Sequence, residues 1–228
     1  MARLTVTQIM QQIASTVNQE SAAPDAGNAE WGLWLQYINR SYFEWVDAHD
    51  WEVSRKVWFP SITTVSAATV PLPADFKKLA ADVVLYNGEQ SNGAHYGEAL
   101  PEQEGLYVST DKYVKVMGDP SNGYNILINP GTLASGASLA VQYFSTPTSL
   151  ASGSEVPLIP DSQFLVDRAI AYIFEARSDP RFQQEETKAR ERLLTMIENA
   201  DLAKYNSYAS PNTVITPERK QGFRIGRD

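Results

Sequence analysis

The stretch AEWGLWLQYINRSYFEWVDAHDW, residues 29–51, holds four of the chain's five tryptophans: Trp31, Trp34, Trp45 and Trp51. Its large apolar positions are Trp31, Trp34, Leu35, Ile38, Tyr42, Trp45 and Val46. They step by three and four, the period of an amphipathic helix rather than a strand. Asn28 is placed to cap that helix, and Glu30 sets negative charge in its first turn, where the helix dipole favours it. From residue 28 to 48 the helix would be roughly 30 Å long at about 1.5 Å per residue. A large aromatic carries ~150–250 Å² of surface. The rest of the chain, or a neighbouring chain, therefore has to cover this helix.

Toward the N-terminus, Leu4, Ile9, Ile13 and Val17 give a helical stripe capped by Thr5 or Thr7 and ending near residue 19. Residues 21–28, SAAPDAGN, have turn chemistry and no period. The two helices on either side are expected to pack as a hairpin.

Beyond His49 the period becomes two. Val53, Arg55, Val57 and Phe59 alternate with Glu52, Ser54, Lys56 and Trp58 until Pro60. Short strands are also expected over 62–70, 78–86, 107–108, 113–117, 124–129 and 138–144, separated by turn clusters such as GDPSNG at 118–123. Residues 89–104 look polar and irregular. Helical period returns after a linker at 145–160. Asp161 or Ser162 caps a helix apolar around nearly its whole girth, from Phe164 to Ala176, which should be the most buried one. Ser178, Asp179 and Pro180 stop it. A last helix from about Arg181 to Lys204 carries the stripe Phe182, Ala189, Leu193, Met196, Ile197, Ala200 and Ala203, with Glu186–Arg190 as its i,i+4 ion pair. Residues 206–228 have no helical period.

The expected fold class is therefore α+β. About four helices from residues 1–50 and 145–205 form a bundle. Residues 51–144 form an inserted antiparallel β-sandwich or barrel-like subdomain of six to eight short strands, and residues 206–228 are an extended C-terminal tail.

Composition excludes several kinds of chemistry. There is no cysteine, hence no disulfide, thiolate metal site or cysteine nucleophile. No run approaches the ~20 apolar residues that cross a bilayer, and the N-terminal residues read as an amphipathic helix rather than a secretion signal. The net charge of −8 argues against a nucleic-acid-binding surface on the body. The tail has a local excess of two positives (Arg219, Lys220, Arg224 and Arg227 against Glu218 and Asp228), so the body is more acidic than the whole. A basic tail on an acidic body points to docking on an acidic partner or to self-association.

Only two histidines are present, His49 near the end of the aromatic helix and His95 in a Gly-bearing loop. Neither has a metal-ligating companion at the required spacing, and no GxSxG elbow is present. The acidic segment with Glu98, Pro101, Glu102 and Glu104 has the residue types of a glycosidase acid/base pair or a calcium site, but a solvated acidic loop explains it. GDPSNG lacks the Lys-Ser/Thr ending of a phosphate loop, and a hairpin turn accounts for it. The helical spacing of the tryptophans favours core or subunit packing over a sugar platform. No catalytic, cofactor or metal site is expected.

The order of several weak motifs over residues 29–203 resembles the head-to-tail connector, or adaptor, proteins of tailed bacteriophages. These are the Trp45–Trp51 pair, VPLPADF at 70–76, LINP at 127–130, LAVQY at 139–143, Pro147–Thr148, and VPLIPD at 156–161. Position 70 departs, a valine where the family's pattern has an aromatic. The resemblance implies a structural virion protein that acts as host-cytoplasmic precursor and then head–tail component. Twelve copies would form a ring under the portal protein. That ring extends the DNA channel, conducts the genome without binding it specifically, and receives the next tail component (a nozzle, stopper or tail terminator). No membrane is involved. On this reading Pro211, Val214, Ile215, Phe223 and Ile225, with Arg219, Lys220, Arg224 and Arg227, form a portal-docking tail. Trp31, Trp34, Ile38, Tyr42, Trp45 and Trp51 serve bundle core and subunit packing. The competing expectations are a carbohydrate- or receptor-binding tail module, with Trp58 or Tyr113 as stacking platforms, and a wall-degrading hydrolase.

Overall fold

A computed structural model of the chain describes residues 3–60, 69–86, 94–99, 112–129 and 138–208, with side chains described to residue 203. Four α-helices, α1 (Val6–Val17), α2 (Ala29–Ala48), α3 (Gln163–Ala176) and α4 (Phe182–Tyr208), bracket eight strands. These are β1 (Arg55–Trp58), β2 (Thr69–Pro71), β3 (Phe76–Leu79), β4 (Val83–Tyr86), β5 (Ala94–Glu98), β6 (Tyr113–Asp119), β7 (Gly123–Asn129) and β8 (Ser138–Ser145). The fold is α+β.

The helices begin where capping chemistry requires. The Thr5 hydroxyl accepts from the Gln8 amide while the Gln8 side chain accepts from Thr5, a reciprocal capping box. Two further amides at this end, of Val6 and Thr7, donate to the carbonyls of Glu155 and Gly153. Asn28 caps α2 by accepting from the Glu30 amide at 3.1 Å. At the end of α3, Ser178 takes the left-handed conformation (φ 54°), and Asp179 returns its amide to Phe174. That bond satisfies one of the last helical carbonyls.

Ten of the 14 residues of α3 are buried, Asp167 among them, so α3 is the centre of the bundle. Both α1 and α2 pack chiefly on α3, as does α4. This corrects the hairpin expected of α1 and α2. An apolar stripe specifies which face is covered, not which partner covers it, and α3 is apolar on enough sides to receive three helices. α4 runs to Tyr208, into the first residues of what reads as tail.

The strands form one curled sheet in the order β1-β8-β4-β5-β6-β7-β2, with β3 also on β8. It is a half-barrel whose concave face carries Val83, Leu85, Tyr96, Val114, Ile126, Ile128, Leu139, Val141 and Tyr143 at alternating positions. The sheet is mixed, which corrects the purely antiparallel expectation. β5 and β6 pair in parallel, Gly97 opposite Tyr113, an arrangement that a two-residue hairpin cannot join. β5 also corrects the irregular reading of 89–104. The expected strand at 78–86 is two, β3 and β4. Pro71 ends β2 at the sheet margin, where a missing amide is tolerated. In the β6–β7 hairpin, Asp119 accepts from the amides of Ser121 and Asn122 at 2.8 and 3.0 Å, and Gly118 and Gly123 have positive φ.

Candidate functional site

The aromatic helix is the joint between bundle and half-barrel. Trp34, Ile38, Tyr42, Trp45 and Trp51 are buried within the chain itself, while Trp31 is half-buried against the same core. Tyr42, Trp45 and Trp51 stack in succession, with centroids 5.8 and 4.8 Å apart. His49 meets Trp51 edge-on at 5.0 Å, and its Nε2 lies 3.6 Å from Asp201 on α4. A neighbouring subunit could reach only Trp31 of this set, together with the exposed Leu33 beside it.

The segment read as a linker at 145–160 is strapped to this helix. Asn39 exchanges two hydrogen bonds with the Leu150 backbone, at 2.9 and 2.7 Å. The Tyr42 hydroxyl accepts from the Leu158 amide at 3.0 Å. From the other side, Lys77 of β3 donates to the Val46 carbonyl at 2.7 Å and pairs with Asp47 at 3.1 Å. It supplies the cation that the last turn of α2 lacks. Lys78 pairs with Asp50, and Ser145 donates to the Ser54 carbonyl.

Polar networks hold this junction. Asp75 receives Lys56 at 2.5 Å and the Tyr143 hydroxyl at 3.0 Å. Burial works against the Asp75 carboxylate, but these two donors hold it below the usual range. Burial, followed by the hydrogen bond to Asp75 and its charge, pushes the Tyr143 phenol up to about 12. In the bundle, Arg168 grips Glu44 through two bonds of 2.8 Å, and Tyr172 donates to the same carboxylate. The guanidiniums of Arg40 and Arg168 each lie over the Tyr172 ring, 4.1 and 4.4 Å from its centroid. Arg192 of α4 ties Asp161 and the buried Asp167 to one another, both at 2.9 Å. Each of these networks joins one element to another.

Among the described residues an open groove of about 670 Å³ runs along α4. One wall is α4, with Glu191, Arg192, Thr195, Met196, Asn199 and Ala200. The other is Trp51 to Val53, with Pro160 and Asp161 at the far end. Val53 of that wall, and Val57 and Phe59 further along the chain, expose apolar side chains, 64 % of Phe59 being accessible. The period-two strand expected from residue 53 is corrected: residues 52–54 form a 3-10 turn with Ser54 buried, and within β1 only Trp58 is half-buried. Nothing in the sequence foretold the groove, because its walls lie more than 130 residues apart.

His95 stands exposed on β5, not in a loop. Trp58 and Tyr113 are half-buried against or beside the half-barrel core and form no exposed platform. Glu102 and Glu104 lie outside the described residues. So do all the residues assigned to the docking tail: Pro211, Val214, Ile215, Arg219, Lys220, Phe223, Arg224, Ile225 and Arg227.

The chain is thus an α+β protein in which a four-helix bundle is tied to a half-barrel by its own side chains and carries an open groove on α4. The model of the SU10 adaptor protein family matches residues 4–215. The chain belongs to that family, which is one of bacteriophage head–tail adaptors and a virion component. Curated proteins provide no match. Among the described residues no helix is long and apolar enough to cross a membrane.

Proposed function

We propose that the chain is one subunit of a head-to-tail adaptor ring, twelve copies in circumference, that docks under the portal protein. The ring continues the DNA channel and offers its lower surface to the next tail component. The family match over nearly the whole described chain carries this reading. The body's acidity supports it further, because a wall of like charge lets DNA pass without sticking. Residues 211–227 provide the portal contact: Val214, Ile215, Phe223 and Ile225 bury apolar surface, and the four cations pair with acids on the portal. Bundle residues 1–50 and 145–205 and the half-barrel at 51–144 act as one rigid body, with subunit contacts at its exposed apolar positions.

The test is portal binding by the full chain and by a chain ending at Tyr208. The full chain is expected to bind. The shortened one should lose binding while keeping its circular dichroism spectrum and melting midpoint. Unchanged affinity would refute the tail assignment.

A further inference from the structure

We propose that, in the free subunit, the groove between α4 and residues 51–53 is the seat of the chain's own C-terminal segment, residues 209–228. The segment is thereby stored on the body before assembly. This concerns the unassembled chain and goes beyond the docking role proposed above.

Reach comes first. The groove wall from Lys188 to Ala200 belongs to the helix that ends at Tyr208. Ala200 lies ~12 Å and Lys188 ~30 Å back from that end, at about 1.5 Å per residue. An extended chain covers ~3.3 Å per residue, so a segment turning back after Tyr208 brings Val214 and Ile215 to the Ala200 end. Ser210, Pro211 and Asn212 supply turn-forming residues where that reversal falls. The following residues, TPERK, then run toward Glu191.

Chemistry agrees with this register. The Ala200 end is apolar, with Met196, Trp51 and Val53 around it, and His49–Asp201 fixes that end beside Trp51. The opposite end is acidic. Lys188 is taken by Glu185 at 2.6 Å, and Arg192 by Asp161 and Asp167. Glu191 has no ion pair among the described residues. Arg219 and Lys220 would arrive where that negative charge stands open, with Val214 and Ile215 over the apolar end. A short tether gives an effective concentration in the millimolar range, which favours the chain's own segment over a second copy's.

Two measurements on the full chain decide this. Trypsin cuts the tail after Arg219 and Lys220; Asn199→Asp and Glu191→Lys, both at exposed positions of the groove wall, should each speed that cleavage about tenfold, the factor set by roughly 1.4 kcal/mol, at an unchanged melting midpoint. Equal rates in wild type and both variants would overturn the proposal. Because the chain has no cysteine, the pair Asn199→Cys and Ile215→Cys reports contact directly. A disulfide-closed monomer is expected. A disulfide-linked dimer, which would place a second copy's tail in the groove, overturns the proposal, and so does the absence of any disulfide. Portal binding enters neither readout, so failure here is distinguishable from failure of the tail's docking role.

Discussion

At Trp34 the indole is 1 % exposed in the middle of the bundle core. Trp34→Ala should cost about 3–5 kcal/mol, the range for emptying a large core site. Urea denaturation at equilibrium measures it, and a loss below about 1 kcal/mol would mean that α2 is not held as described. Asp75 and Tyr143 make a second prediction, on pH. Asp75 is held below its unfolded value, so its stabilisation is present above about pH 4 and lost as pH falls through the lowered value. Tyr143 is raised, so its share is present below about pH 10 and lost as pH rises toward about 12. Asp75→Asn should flatten both limbs of a plot of melting midpoint against pH. Identical profiles for the two proteins would contradict the network.

Among the elements, the β6–β7 hairpin offers the sharpest contrast. A Cβ on Gly118 (φ 110°) would fall 2.2 Å from the Gly123 carbonyl oxygen, whereas one on Gly123 meets nothing within 4 Å. Gly118→Ala should therefore destabilise by at least about 2 kcal/mol, and Gly123→Asn by clearly less, since asparagine tolerates the left-handed region. Comparable losses in thermal unfolding would place the turn elsewhere. The helices were legible because Thr5, Asn28 and the stripes of α2 and α4 are local signals. Pairing was less so. β5 was missed because AHYGE has one large apolar anchor, Tyr96, and β5's parallel partner depends on a crossover that no local pattern records. Before β1 the period-two pattern misleads, because residues 52–54 close a 3-10 turn that buries Ser54, and in the strand itself only Trp58 turns inward.

For the molecule as a whole, the sequence made the split bundle readable through the return of helical period at Phe164. The family resemblance rested on the order of motifs rather than on any one of them. The groove was illegible because Val53 and Met196 are brought together only when α4 packs along α3 and passes Trp51. The clamp by Asn39 and Tyr42 on residues 150–158 was hidden for the same reason: a polar side chain on a helix does not name its distant partner. The proposed role rests on assembly, so electron microscopy of the purified chain mixed with portal addresses it most directly. The account predicts a twelve-fold ring of this protein seated coaxially under the portal, with the half-barrels and helical bundles resolved as one body per subunit. Portal particles that stay bare at saturating adaptor, or adaptor density without rotational order, would contradict it.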